Sequence, residues 1–205
     1  MEMKRVIFAT GNENKMREVR EILAELPVEI LSMKEAGISS DPDENGETFE
    51  ENALIKAKAV AAVLPEQLKD SVVLADDSGL EVDAMDKMPG VQSARWMGHD
   101  TSYRIKNAKI IENLEGVPVE KRTARFVDAI AAVLPDGRDL VVRGVIEGKI
   151  GYEEKGENGF GYDPIFMLPD MSRSTAELSP EEKNEISHRG KALRQIAEKL
   201  REVLA

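Results

Sequence analysis

Cysteine is absent from all 205 residues, which excludes disulfides, thiolate nucleophiles and thiolate metal sites. Histidine is scarce. His99 and His188 are the only two, too few for a histidine-rich zinc site, so any bound metal must be held by oxygen. No apolar run approaches the roughly 18 residues needed to cross a bilayer. The first residues lead straight into an apolar strand with no signal-peptide layout, so a cytoplasmic protein with no membrane partner is expected. Basic charge is also in deficit. A formal net charge of −11 argues against a nucleic-acid-binding surface. It does not argue against a small anionic ligand, for which a few local cations and a divalent metal suffice.

What is present describes a globular chain. Hydrophobic residues make up 41% of it, in many short runs, and no linker, repeat or low-complexity segment interrupts it. One domain over residues 1–205 is expected. The most informative stretch is Val72-Val73-Leu74-Ala75-Asp76-Asp77-Ser78-Gly79-Leu80. Val72 to Ala75 read as a short buried strand, followed by two adjacent carboxylates at its end. Neighbouring acids repel, so they gain nothing for the fold unless positive charge stands beside them. Oxygen ligands at the carboxyl end of a strand suit Mg²⁺, which takes one or two carboxylates and leaves its other positions to water and phosphate. The competing reading is an ordinary Asp-Ser-Gly turn before a second strand, Leu80 to Ala84.

Elsewhere the chain alternates strands and helices. Lys4 to Thr10 read as a strand, and Thr10-Gly11-Asn12-Glu13-Asn14-Lys15 opens directly into an amphipathic helix carrying Met16, Val19, Ile22, Leu23 and Leu26. The free N–H groups at such a helix start suit phosphate, although this is no Walker A loop and an asparagine-capped turn accounts for it equally. Val28 to Ser32 form a second strand, and residues 39–47 an acidic loop. Thr48 and Glu51 make a capping box for a helix to about Leu64, with Ala53, Leu54, Ala57, Ala61 and Leu64 inward. Thr101 to Leu114 form a helix presenting Ile105, Ala108, Ile111 and Leu114 on one face. Residues 123–134 and 139–150 are long strands joined by Pro135-Asp136-Gly137-Arg138, read as a purely structural hairpin. Glycines flank Phe160 before a strand at Ile165 to Leu168. Ser179, Pro180 and Glu182 start another capped helix, and Leu193, Ile196, Ala197 and Leu200 mark an amphipathic C-terminal one. An antiparallel hairpin beside βα units means a mixed sheet.

Ala75-Asp76-Asp77-Ser78-Gly79-Leu80 and Pro89-Gly90-Val91-Gln92-Ser93-Ala94-Arg95 together resemble the inosine triphosphate pyrophosphatase family. Thr10, Asn12 and Lys15 match that family's Thr/Ser-x-Asn-x-x-Lys motif, and Lys56 its lysine after the Glu-Asn-Ala segment. Phe160-Gly161-Tyr162-Asp163-Pro164 and Ser187-His188-Arg189 match in the family's order. Trp96 stands where the family more often has phenylalanine or tyrosine. The resemblance implies an α/β fold with a mixed twisted sheet flanked by helices, in two lobes with a cleft between them. It implies hydrolysis of non-standard purine nucleoside triphosphates (ITP, dITP, XTP) to the monophosphate and pyrophosphate.

The roles follow from the same resemblance. Asp77 would orient or deprotonate the attacking water, with Mg²⁺ on Asp77, Asp76 and either Asp43 or Glu44. Lys15, Lys56 and Arg95 would hold phosphate oxygens. The remaining substrate contacts would come from Thr10, Gly11, Asn12, Glu13, Asn14, Ser78 and Lys183. Phe160, Gly161, Tyr162 and Asp163 would lie against the nucleoside, and His188 and Arg189 would read the C6 oxygen of the base. A homodimer is implied. Two other readings fit many of the same residues: a pyrimidine-directed pyrophosphatase on the same scaffold, and a nucleotide-binding sensor without turnover.

Overall fold

The computed structural model describes residues 4–204. Among them, six strands form one mixed sheet in the order β2-β1-β3-β4-β5-β6. The strands are β1 (Lys4–Phe8), β2 (Val28–Ser32), β3 (Val72–Val82), β4 (Thr123–Val133), β5 (Asp139–Ile150) and β6 (Phe166–Met167). The helices are α1 (Glu13–Ile22), α2 (Phe49–Ala62), α3 (Tyr103–Asn113), α4 (Pro180–Ile186) and α5 (His188–Leu204). β1 pairs parallel with β2 (Val6 opposite Ile30) and with β3 (Phe8 opposite Leu74). β5 and β6 are antiparallel, so the sheet is mixed as expected. No helix among the described residues is long and apolar enough to cross a membrane.

The chain divides into two compact units. The first comprises Met1–Asp77, Asp128–Gly144 and Arg189–Ala205; the second comprises Ser78–Val127 and Val145–His188. β3, β4 and β5 therefore contribute residues to both. In the first unit, Val6 and Phe8 of β1, Val72 and Leu74 of β3, and Ile130 and Ala132 of β4 form one core. Met16 and Val19 of α1 and Leu193, Ile196 and Leu200 of α5 complete it. The second unit's core collects Leu80 and Val82 of β3, Phe126 of β4, Ile146 and Ile150 of β5, and Ile110 and Leu114 from α3 and its end.

Three expectations are corrected. β3 does not stop at Ala75; it runs unbroken through Asp76 to Gly79, so the two acids lie mid-strand and the turn reading fails. The continuity follows from neutralisation, since each carboxylate meets a cation and neither has to leave the sheet. In α2, Ala53 and Ala57 are buried as expected, but Phe49, Asn52 and Val60 complete the buried face, while Leu54, Ala61 and Leu64 are only half-buried. In α3 the buried residues are Lys106, Asn107 and Ile110, whereas Ile105 is 54% exposed. Leu114 is buried as expected; the rest of each face shifts because Asn52 in α2, and Lys106 and Asn107 in α3, take inward positions that a count of apolar residues passes over. The capping boxes at Thr48 and Ser179 form as expected.

Candidate active site

Successive residues of a strand point to opposite sides of the sheet, so Asp76 and Asp77 look away from each other. Asp76 shares its face with Val72 and Leu74, the side packed by α1 and α5. Its carboxylate is 1% exposed, with Lys15 Nζ at 2.8 Å and an Arg189 guanidinium nitrogen at 3.5 Å. Arg189, at the start of α5, also pairs with Glu18 of α1 at 2.5 Å, and its Nε lies 3.8 Å from Asp128 of β4. Burial opposes ionisation of Asp76, but Lys15, Arg189 and Lys56 overcome it and hold the carboxyl well below the usual range. Asp128 goes the other way: burial and the neighbouring Asp76 push it well above that range.

Asp77 faces α2. Asn52 Nδ2 donates to its Oδ2 at 3.1 Å, and Lys56 Nζ lies 3.7 Å from its Oδ1. Lys56 is also 3.1 Å from Glu44 Oε2, so one ammonium bridges the two carboxylates. Burial raises the Asp77 pKa, and Lys56 and Asn52 only partly offset it. The side chain of Asn52 is fixed at both ends, because its Oδ1 accepts the Gly46 N–H at 2.8 Å. Gly46 must be glycine there: a Cβ would come within 2.7 Å of Glu51 Cβ and 2.8 Å of Asn52 Oδ1. A cavity of about 160 Å³ adjoins this group, lined among others by Thr10, Gly11, Asp41, Glu44 and Lys56.

The glycine loop before α1 is shaped from within. Asn12 Oδ1 accepts the N–H groups of Asn14 and Lys15, at 2.9 and 3.2 Å, and Thr10 Oγ1 accepts that of Asn12 at 3.1 Å. Thr10 and Asn12 thus set the turn that aims Lys15. Above Gly11 a Cβ would meet nothing within 4 Å, which leaves its backbone open to approach.

The second unit carries the other matched residues. Asp163 Oδ2 accepts the Phe160 N–H at 2.8 Å and Lys183 Nζ at 2.7 Å, and its Oδ1 accepts Thr175 Oγ1 at 2.8 Å. Gly159 and Gly161 flank Phe160 at φ +72° and +67°, a left-handed backbone that other residues rarely adopt. Lys183 Nζ stands 4.9 Å from the Phe160 ring centre. His188 stacks on Phe126 with ring centres 4.9 Å apart. Arg95 is half-buried in the turn after Ser93, and Ser78 lies in β3.

The Ham1 family profile matches residues 6–199. The chain belongs to the Ham1 family. It is 47% identical over 196 residues to the dITP/XTP pyrophosphatase of Caldanaerobacter subterraneus subsp. tengcongensis, covering 96% of each chain. A protein of the same name from Exiguobacterium sibiricum is 46% identical, with 94% of each chain covered. Among solved structures, a HAM1 protein from Coxiella burnetii superposes with a TM-score of 0.85 at 40% identity, covering 98% of this chain and 100% of that one. The Ham1 protein of Staphylococcus aureus gives 0.84 at 36% identity, covering 97% and 98%.

Within this Ham1 chain the structure separates residues that the motif order had grouped. By direct contact Asp76, Lys15 and Arg189 form one group and Asp77, Lys56 and Glu44 another, and the charge of Lys56 acts on both aspartates. Of the two acids in the loop, Glu44 reaches Lys56, while Asp43 is exposed. Arg189 is 2% exposed and set among carboxylates, so its surroundings are those of an ion-pair anchor. Asn52, Glu18 and Asp128 escaped sequence reasoning. Each left a signal: Asn52 precedes Lys56 by one helical turn, Glu18 follows Lys15 by three residues, and Asp128 interrupts the apolar run Phe126-Val127-Asp128-Ala129-Ile130. Among the described residues no group of three or more histidine, aspartate or glutamate side chains is arranged around a metal position.

Proposed function

We propose that this chain hydrolyses non-standard purine nucleoside triphosphates, dITP and XTP among them, to the nucleoside monophosphate and pyrophosphate. The observation that carries the reading is Asp77: a buried carboxylate of raised pKa, oriented by Asn52 and facing Lys56, in a chain closely related to dITP/XTP pyrophosphatases. A carboxylate whose burial raises its proton affinity is a stronger base than one in water. Asp77 takes the proton as a water oxygen attacks phosphorus and the α–β phosphoanhydride bond breaks. Lys15 and Lys56 each engage one or two carboxylates and offer their other N–H bonds to phosphate oxygens. Such fixed positive charge at the reacting phosphorus is usually the largest catalytic contribution.

Mg²⁺ suits the oxygen-only set of Asp77 and Glu44, which already converge on one cationic point, the Lys56 ammonium. When bound there it would neutralise the triphosphate and the pyrophosphate leaving group. Asp76 contributes by holding Lys15, and Arg189 by holding Asp76. In the second unit, Phe160 offers a ring to the base, and Lys183 and His188 offer donors for a C6 oxygen. Adenine carries an amino donor at that position and leaves such donors unpaired, a mismatch worth on the order of 10⁴ in discrimination. The same reading includes a homodimer, on the strength of the resemblance, which sedimentation velocity tests.

The experiment is pyrophosphate release from ITP, XTP, dUTP and ATP, with and without Mg²⁺. Rapid cleavage of ITP and XTP, slow cleavage of ATP and silence in EDTA are expected. Equal rates on ITP and ATP overturn the purine selectivity. Preference for dUTP makes the enzyme pyrimidine-directed, and no release from any of the four makes the chain a binder without turnover.

A further inference from the structure

Lys106 is buried to 1% exposure on α3, next to Ile105, which points outward. An ammonium taken out of water without a carboxylate needs another compensation. Its Nζ donates to the carbonyl of Ala94 at 2.8 Å and lies 5.0 Å from the centre of the Tyr103 ring. Tyr103 meets Tyr162 edge-on, ring centres 5.0 Å apart, and the Tyr162 hydroxyl donates to the Ser93 carbonyl at 2.7 Å. Asn107, one position on, donates from Nδ2 to the Gly161 carbonyl at 3.3 Å and to Glu154 at 2.8 Å. All of these residues lie in the second unit.

The contacts close a ring. The carbonyls of Ser93 and Ala94 define the two peptide planes that lead into Arg95, and each is held by a side chain. Arg95's own N–H donates to Gln92 O, and its carbonyl accepts from Gly98 N, both at 2.8 Å. Ser93 Oγ accepts the Leu80 N–H at 2.9 Å and donates to Gly90 O at 2.6 Å. Four hydrogen bonds thus anchor the backbone entering and leaving Arg95, and two of the four come from Lys106 and Tyr162. The first turn and a half of α3 reaches both the Arg95 turn and the Gly159–Tyr162 turn.

We propose that Lys106 is a positioning residue for the reaction: with the Tyr162 hydroxyl it sets the peptide planes that aim Arg95, so that α3 holds the Arg95 turn and the Phe160 turn in one arrangement. This rests on the reading of Arg95 as a phosphate-holding residue. An apolar side chain of the same length would fill the space and leave the Ala94 carbonyl without its Lys106 donor, so the polarity of this helix face serves the turn and not the core.

Trp96, the chain's single tryptophan, follows Arg95 and packs against the second unit's core, which gives the turn its own optical reporter. In Lys106→Met we expect greater acrylamide quenching of Trp96 and a loss of kcat/KM for ITP of about 10- to 100-fold, the range for a charged hydrogen bond. Arg95→Ala should lose at least as much, and the double variant should be no worse than Arg95→Ala alone. If Lys106→Met costs its full factor again in the Arg95→Ala background, Lys106 acts independently of Arg95 and the proposal is overturned. Unchanged Trp96 quenching in Lys106→Met also overturns it, whatever the kinetics. A wild-type Arg95→Ala with a loosened Trp96 in Lys106→Met removes Arg95's phosphate role and keeps α3's hold on the turn. Should Lys106→Met not fold, Tyr162→Phe deletes one hydroxyl of the same ring and is read by the same quenching and kinetic cycle.

Discussion

The two faces of β3 put neighbouring aspartates in opposite electrostatic states. On the Asp76 face, cations outweigh burial, the carboxyl is held ionised, and Lys15, Arg189, Glu18 and Asp128 form a buried network. On the Asp77 face, burial outweighs the cations, the carboxyl's proton affinity rises, and a cavity lies alongside. One face uses its charges against each other; on the other, Lys56 and Asn52 only partly offset the burial of the carboxylate. Buried ion pairs are costly to break from one side, whereas a group whose environment disfavours its working form is typical of a reacting centre. The alternation of a strand suffices to separate these two roles by a single residue.

The strongest way to break this comparison is Asp77→Asn. It should lower kcat for ITP by about 10³-fold or more, the upper range for loss of a general base, while leaving the fold intact. Because the folded-state pKa of Asp77 is raised, its ionisation opposes folding once the pH exceeds the ordinary carboxylate value. Asp77→Asn should therefore melt at or above the wild-type temperature at pH 7. A variant that keeps most of its kcat, or melts well below wild type, sinks the assignment.

Arg189→Ala tests the other face. It removes the guanidinium that pairs with Glu18 and backs Asp76 in the interior, and removing one side of such a network costs about 3–5 kcal/mol. Urea unfolding should show that loss, and kcat/KM should fall alike for ITP and ATP. A large change in the ITP-to-ATP ratio at unchanged stability would instead return Arg189 to base recognition. A smaller effect is expected from Asn52→Ala, which frees one end of Asp77 and orphans the Gly46 N–H. The stability cost should be about 1–3 kcal/mol, with kcat lowered by less than in Asp77→Asn. If kcat is untouched, Asp77 needs no orientation from α2.

The mildest test is pH. Asp77 protonates above the ordinary carboxylate range and Asp76 below it. On acidification, kcat/KM should fall first. Asp76's stabilising contribution, present above its unfolded pKa, should be lost only as the pH drops through its depressed folded value. Simultaneous loss of rate and stability would erase the distinction between the faces.

Much of this was legible in the sequence where local chemistry decides. The two capping boxes, the βα start at Asn12 and the mixed sheet all form as read, since each depends on residues within a turn of one another. The misreadings come from burial of polar groups. Asp76-Asp77-Ser78-Gly79 looked like a turn because the lysines that let it remain a strand come from Lys15 and Lys56, distant in sequence. Lys106 and Asn107 turned α3's inward face away from Ile105 for the same reason. Asp128 sat inside a hairpin read as structural, and only the tertiary fold shows which acid and which arginine it accompanies.

The start of α2 governs more than a helix. Glu51 accepts the N–H groups of Glu47 and Thr48, and Asn52 accepts that of Gly46, so three consecutive amides are gathered onto the first turn. Glu44 lies just upstream, at the end of a tether whose length is counted in single residues. A one-residue insertion or deletion between Glu44 and Thr48 would force a choice between keeping the cap and keeping Glu44 against Lys56. Loops usually absorb such changes; this one is indexed like a ratchet tooth, and its length is as constrained as the identity of any residue in it.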